Sequence, residues 1–238
     1  MSQTNAIIPP ARPLIPRTSP WLGIAGVAAV IAAQTHAILT SPAEGDMGHL
    51  QKIMYVHVPA AWMTFIAFFV VMVFSLRYLW KRNENDDLLA ASAAEVGATF
   101  NGLTLALGMI WGRPAWGVWW AWDARLTSTL VMFLIFVGYL ALRAFVDEAQ
   151  QRARWSAAVG IFGAINVPLV YMSVKWWRTL HQPPSSPSTI DPAYTLGLRL
   201  NAIAMLIVLI YFIRKRYEIA RVERAVEHAA EAAAMGGA

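Results

Sequence analysis

Six stretches of this 238-residue chain are long and apolar enough to cross a bilayer, and they decide what it can fold into. They are residues 21–39, 58–80, 88–110, 126–145, 155–174 and 193–213. A spanning helix needs about 20 mostly apolar residues, because no water is available inside the hydrocarbon to satisfy exposed backbone groups. The fifth and sixth windows carry interruptions at Asn166, Pro168, Arg199 and Asn201, yet both keep spanning length. The expected fold is therefore an all-α integral membrane protein with six transmembrane helices. Composition agrees: 58% of residues are hydrophobic and only 14% charged, too little charge for an ordinary soluble domain.

The net charge of +5 does not point to nucleic acid, since the cations cluster beside apolar runs. That placement sets membrane orientation. Thirteen Lys and Arg flank one side: Arg12, Arg17, Arg77, Lys81, Arg82, Arg143, Arg152, Arg154, Arg214, Lys215, Arg216, Arg221 and Arg224. Five flank the other: Lys52, Arg113, Arg125, Lys175 and Arg178. The imbalance predicts both termini in the cytoplasm and loops one, three and five outside. The rival reading of the first window is a cleavable signal peptide; its length and the even number of spans favour an uncleaved helix. The expected organisation is a flexible N-terminal tail (1–20), the six-helix domain (21–213), and a helical cytoplasmic tail (214–238) continuing out of the sixth span. "QPPSSPSTIDP" reads as a turn-rich external segment. With no cysteine in the chain, disulfides, Fe–S clusters and thiol redox chemistry from its own residues are excluded.

The third loop is the distinctive segment. "WGRPAWGVWWAWDARLTS" (111–128) holds five of the eleven tryptophans: Trp111, Trp116, Trp119, Trp120 and Trp122. Helical spacing would put Trp116, Trp119, Trp120 and Asp123 on one face of a short amphipathic helix, with Pro114 in its first turn. Trp21, Trp62, Trp80, Trp155, Trp176 and Trp177 already supply an interfacial aromatic belt. Five more on one loop instead suit a flat apolar ligand such as a porphyrin or a quinone.

Of the five histidines, His228 falls in the C-terminal tail, His49 in loop one and His36 near the end of the first span. His57, in "QKIMYVHVPAAWM", and His181, in "VKWWRTLHQPPSS", fall on the same side as the tryptophans. Each alone reads as structural; together they offer two imidazoles, the usual axial ligands of haem iron. Arg125 has the charge and fork to hold a haem propionate. Glu95, Asn101, Asn166 and Arg199 are polar groups in or near spans, read as helix–helix bonding with Glu95 and Arg199 as a pair.

"WGVWWAWDARLTS" resembles the tryptophan-rich WWD signature of haem-handling proteins in cytochrome c maturation. "IMYVHVPAAWM", the length and the six spans resemble the haem exporter protein C (CcmC) family over about residues 20–215. The resemblance implies a subunit of the bacterial inner membrane that transiently holds iron protoporphyrin IX (haem b) at its periplasmic face. His57 and His181 would be the axial ligands and the Trp loop the porphyrin platform. Asp123 and Arg125 would contact haem or its acceptor. It further implies delivery to the haem chaperone CcmE and association with the ABC subunits CcmA and CcmB and the small protein CcmD. No "GxxxxGK[ST]" motif occurs, so ATP hydrolysis would belong to a partner and the chain would not be an enzyme. The alternative is an electron-transfer subunit using b-type haem or quinone, but the span interiors lack the paired histidines that reading needs.

Overall fold

The computed structural model describes residues 16–183 and 190–236. The first fifteen residues of the proposed tail and most of "PPSSPS" lie outside that description. The described residues contain α1 (Pro20–Thr40), α2 (Met54–Lys81), α3 (Glu84–Trp116), α4 (Ala124–Phe145), α5 (Ala149–Trp176) and α6 (Pro192–Gly236), with a 3-10 turn at His49–Ile53 before α2. All six helices are long and apolar enough to cross a membrane, and each contains one of the six predicted windows. The chain is a multi-pass membrane protein.

Local chemistry sets the boundaries. Ser19 caps α1 by accepting from Trp21 N at 3.3 Å, with Pro20 at the first helical position. Asn83 caps α3 and is followed by Glu84, Asp86 and Asp87, acidic groups suited to a positive helix start. Glu148 caps α5 through both carboxylate oxygens. Inside α2, Pro59 cannot donate to the carbonyl of Tyr55; Gln34 of α1 does so instead at 3.1 Å.

α2 and α3 make the most extensive helix pair, α4 packs on α5, and α1 lies mainly against α6. Small residues of α3 (Ala93, Ala94, Ala98) share one core with Ala60, Met63, Ala67 and Val71 of α2, which continues into Phe136 and Tyr139 of α4. Phe68 stacks on Phe136 with ring centres 3.5 Å apart. With lipid outside as apolar as the core, such close contact between small residues drives association. The outer face of α1 exposes Trp21, Ile24, Val27, Ile31 and Leu39, as a lipid-facing helix should.

Both described termini lie at one end of the bundle: Arg214 of α6 donates to Thr18 Oγ1 at 3.0 Å. The same end carries an ionic lattice. Arg216 pairs with Glu95 at 2.6 Å, Arg224 with Glu84 at 2.5 Å, and Arg152 with Glu227 at 3.4 Å. The expected Glu95–Arg199 pair is not formed. Glu95 sits eleven residues into α3 from the terminal end, whereas Arg199 sits seven residues into α6 from the other end. Of the other polar residues, Asn166 donates to Ser128 O at 2.9 Å and so does join helices.

The short amphipathic helix expected in the third loop is also absent. α3 runs unbroken to Trp116, with Pro114 in its last turn, and residues 117–123 are non-helical. Gly117 stops α3 in a left-handed conformation (φ 78°), donating to Arg113 O at 3.0 Å. Asp123 then caps α4. Seven residues fixed by a stop and a start leave no room for a separate helix.

Candidate functional site

At the end opposite the termini, α2, α3, α4 and the loop after α5 surround a cavity of about 300 Å³, within the size range of small-molecule sites. One face of α3 forms much of its wall: Asn101, Thr104, Leu105, Gly108, Trp111 and Gly112. Those positions follow the 3.6-residue period. His57 with Ala61, Thr64 and Phe65 does the same on α2.

The structure brings His57 and His181 together although 124 positions separate them. Their ring centres lie 6.5 Å apart with planes tilted by 37°. His57 is buried in the first turn of α2 and meets Trp111 edge-on at 5.7 Å. Its Nδ1 is buried without a hydrogen-bond partner among the described residues. His181, partly buried in the loop after α5, lies 6.3 Å from the Trp116 ring. Its Nδ1 is 2.8 Å from the carbonyl of Gln182. A carbonyl only accepts, so Nδ1 carries the hydrogen and Nε2 keeps a free lone pair. Burial lowers the His181 pKa, and the Arg125 cation lowers it further against the opposing Gln182 carbonyl and Asp123 carboxylate. The neutral imidazole, the form that binds metals, is thereby favoured.

The tryptophans divide into two groups. Trp111, Trp116 and Trp120 line the cavity. Trp119 and Trp122 are 56% and 78% exposed and do not line it. The indole N–H groups of Trp111 and Trp120 are buried without a protein partner, as are both amide atoms of Asn101. A site lined by unpaired buried donors is built to receive a ligand that pairs with some of them.

Arg125 lines the cavity but is partly committed. Its Nε donates to Ser173 Oγ and its Nη2 to Tyr171 O, both at 3.0 Å. Asp123 does not line it. Its Oδ1 accepts from Leu126 N at 2.8 Å, and its Oδ2 accepts from Thr179 Oγ1 at 2.6 Å and Leu180 N at 3.2 Å. His36, His49 and His228 lie elsewhere; His228 approaches Glu84 at 3.4 Å. Trp62, Asn101 and Gly108 are wall residues that the sequence reading missed, although the periodicity of α3 carried the signal for the last two.

Comparison with known proteins agrees with this architecture. The family described as "Heme exporter protein C" matches residues 8–231. A protein of that name from Bradyrhizobium diazoefficiens is 40% identical over 214 residues, covering 87% of this chain and 81% of the relative. One from Escherichia coli is 35% identical over 191 residues, covering 79% and 78%. A "putative cytochrome c biosynthesis ccmC-like mitochondrial protein" from Marchantia polymorpha is 39% identical over 150 residues, 63% of each chain. The chain belongs to the haem exporter protein C family.

Proposed function

We propose that this protein handles haem for c-type cytochrome biogenesis, holding iron protoporphyrin IX between His57 and His181 and passing it on. One observation carries the reading: the 6.5 Å separation of the two rings. Two metal–nitrogen bonds of about 2 Å each, plus the distance from ring centre to ligating nitrogen at each end, sum to roughly 6 Å. The Nδ1–H of His181, held by Gln182, turns Nε2 toward a metal, the usual outer-shell arrangement of a ligating histidine.

In this reading Trp111, Trp116 and Trp120 supply aromatic walls, and the remaining N–H groups of Arg125 meet a propionate. Trp119 and Trp122 stay outside as a surface for the acceptor or the membrane interface. Two imidazoles leave no open iron position for oxygen chemistry, which suits a carrier rather than an enzyme. The excess of Lys and Arg at the terminal end orients that end to the cytoplasm and the cavity to the periplasm of the inner membrane. In this reading, as the sequence resemblance implies, the recipient is the haem chaperone CcmE and the partners are CcmA, CcmB and CcmD, with ATP hydrolysis residing in the ABC pair. Electron transfer by b-type haem or quinone is the weaker reading, since the two neighbouring histidines stand at one end of the bundle rather than at both.

The test is the absorption spectrum of the detergent-purified protein, oxidised and reduced, beside His57→Ala and His181→Ala. A six-coordinate bis-imidazole spectrum that changes in both variants supports the site. A parent that neither copurifies with haem nor takes it up when added refutes it.

A further inference from the structure

The two histidines are anchored in very different ways. His57 belongs to α2, between the buried Tyr55 and Ala60, with Trp111 and Gly108 of α3 against its ring. Its backbone moves only with α2, whose contact with α3 is the most extensive in the bundle. His181 has no helix beneath it. α5 ends at Trp176, and His181 follows in a bent segment beside Leu180, which is 54% exposed. Among the described residues, the hydrogen bonds joining 177–182 to other parts of the chain end either on the last turn of α5 or on one oxygen, Asp123 Oδ2. The relay is short. Thr179 Oγ1 donates to Asp123 Oδ2 at 2.6 Å, and the backbone N–H of His181 donates to that same Thr179 Oγ1 at 3.0 Å. Asp123 is itself fixed by capping α4 through Oδ1.

We infer that the site is asymmetric by construction: His57 is the fixed ligand, His181 is the ligand that leaves, and the Asp123–Thr179 clip sets how readily it does. This rests on the haem reading above and adds which bond breaks at handover. The step is a ligand exchange. The bond from iron to His181 Nε2 breaks, a bond from iron to an incoming nitrogen donor forms, and the oxidation state is unchanged. His181 leaves as a neutral imidazole. Asp123 and Thr179 are positioning residues, acting on the iron only through His181. A hydroxyl is needed at position 179 because one oxygen must donate to the carboxylate while accepting from the His181 amide. A carrier gains from this arrangement. Haem stays attached to a rigid helix while the second position opens, so release requires local rearrangement of a loop and not of the bundle.

The experiment uses the full-length, haem-loaded protein in detergent. Carbon monoxide is mixed with the ferrous form, where binding must wait for one axial ligand to dissociate. Parent, Thr179→Val, Thr179→Ser and Asp123→Asn are compared, together with imidazole exchange into the ferric form. Valine matches threonine in shape and lacks the hydroxyl; serine keeps the hydroxyl. Thr179→Val and Asp123→Asn should accelerate ligand dissociation about tenfold, as expected for losing one hydrogen bond, while Thr179→Ser stays near the parent. Loss of six-coordination in Thr179→Val that Thr179→Ser restores counts the same way. Unchanged rates in both Thr179→Val and Asp123→Asn, with six-coordination intact, would overturn the proposal, because the departing ligand would then be His57. Equal acceleration in Thr179→Val and Thr179→Ser would overturn it too. Absence of haem uptake by the parent would refute the haem reading itself, a distinct result.

Discussion

Gly108 of α3 lies directly beneath the ring of His57: a Cβ built on it would stand 3.2 Å from His57 Cε1. That is closer than an ordinary carbon contact, and the same ring also meets Trp111 of α3 edge-on. Gly108→Ala should push the imidazole by a few tenths of an ångström. Ligand sites tolerate only about 0.5 Å of such error, so haem affinity should fall about tenfold, about 1.4 kcal/mol. Gly108→Val should abolish six-coordination. Haem titration followed by absorbance gives both numbers; unchanged affinity in Gly108→Val would mean that His57 is not held where α3 presses on it.

The pH dependence follows from His181. Burial, aided by Arg125, holds its imidazole below the ordinary value of 6.5. The unfolded chain therefore takes up this proton at a higher pH than the folded one. The resulting stability contribution is full above 6.5 and is lost as pH falls from 6.5 toward the folded value. Ligation has the same sign: Nε2 stays available through 6.5 and is protonated only below it. Acid titration of the bis-imidazole spectrum should show a midpoint under 6.5. Arg125→Gln should move that midpoint upward and Arg125→Lys should move it less. A midpoint above 6.5 would contradict the placement of Arg125 beside His181.

The spans were legible because hydrocarbon imposes one simple requirement, a long apolar helix, and six windows meet it. The histidines were legible by type and by side, but their 6.5 Å approach was not, since it depends on how the loop after α5 folds back over α4. Asp123 illustrates the limit. Its place after the tryptophans suggested contact with a ligand, whereas a residue of that type before an apolar run is also a helix cap, and both its oxygens serve the protein. The third-loop helix failed for a comparable reason. Aromatic spacing pointed to a helix, and the αL stop at Gly117 and the cap at Asp123 overrode it. Glu95 was paired with the wrong arginine because depth within a 33-residue helix cannot be read from sequence proximity to a window.

Gly117 holds the turn from α3 into the tryptophan segment at φ 78°. A side chain there meets its own backbone, which costs roughly 1–2 kcal/mol for most residues and less for asparagine. Gly117→Ala should therefore lower the thermal midpoint in detergent, and Gly117→Asn should lower it less. Both should also weaken haem binding, since Trp120 is carried by the same segment. Equal stability of the two variants would show that the left-handed turn is not what stops α3.

Arg143 of α4 grips Asp87 of α3 through two bonds, Nη1 to Oδ1 at 2.6 Å and Nη2 to Oδ2 at 2.9 Å. Both side chains are largely buried, at 14% and 11% exposure, and the guanidinium lies 5.9 Å from the Tyr139 ring. The pair locks the start of α3 to the end of α4, at the end of the bundle away from the cavity. Removing one partner leaves a buried charge without its counter-charge, which typically costs about 3–5 kcal/mol. Asp87→Ala or Arg143→Met alone should then lower the thermal midpoint strongly. Replacing both at once with apolar residues of similar volume, Asp87→Leu with Arg143→Met, should recover much of the loss, because no charge is left to desolvate. Haem binding in the double variant should stay near the parent, since neither residue touches the cavity. If the double variant is as unstable as the sum of the singles, the pair acts through packing at two independent sites and not as a coupled charge lock.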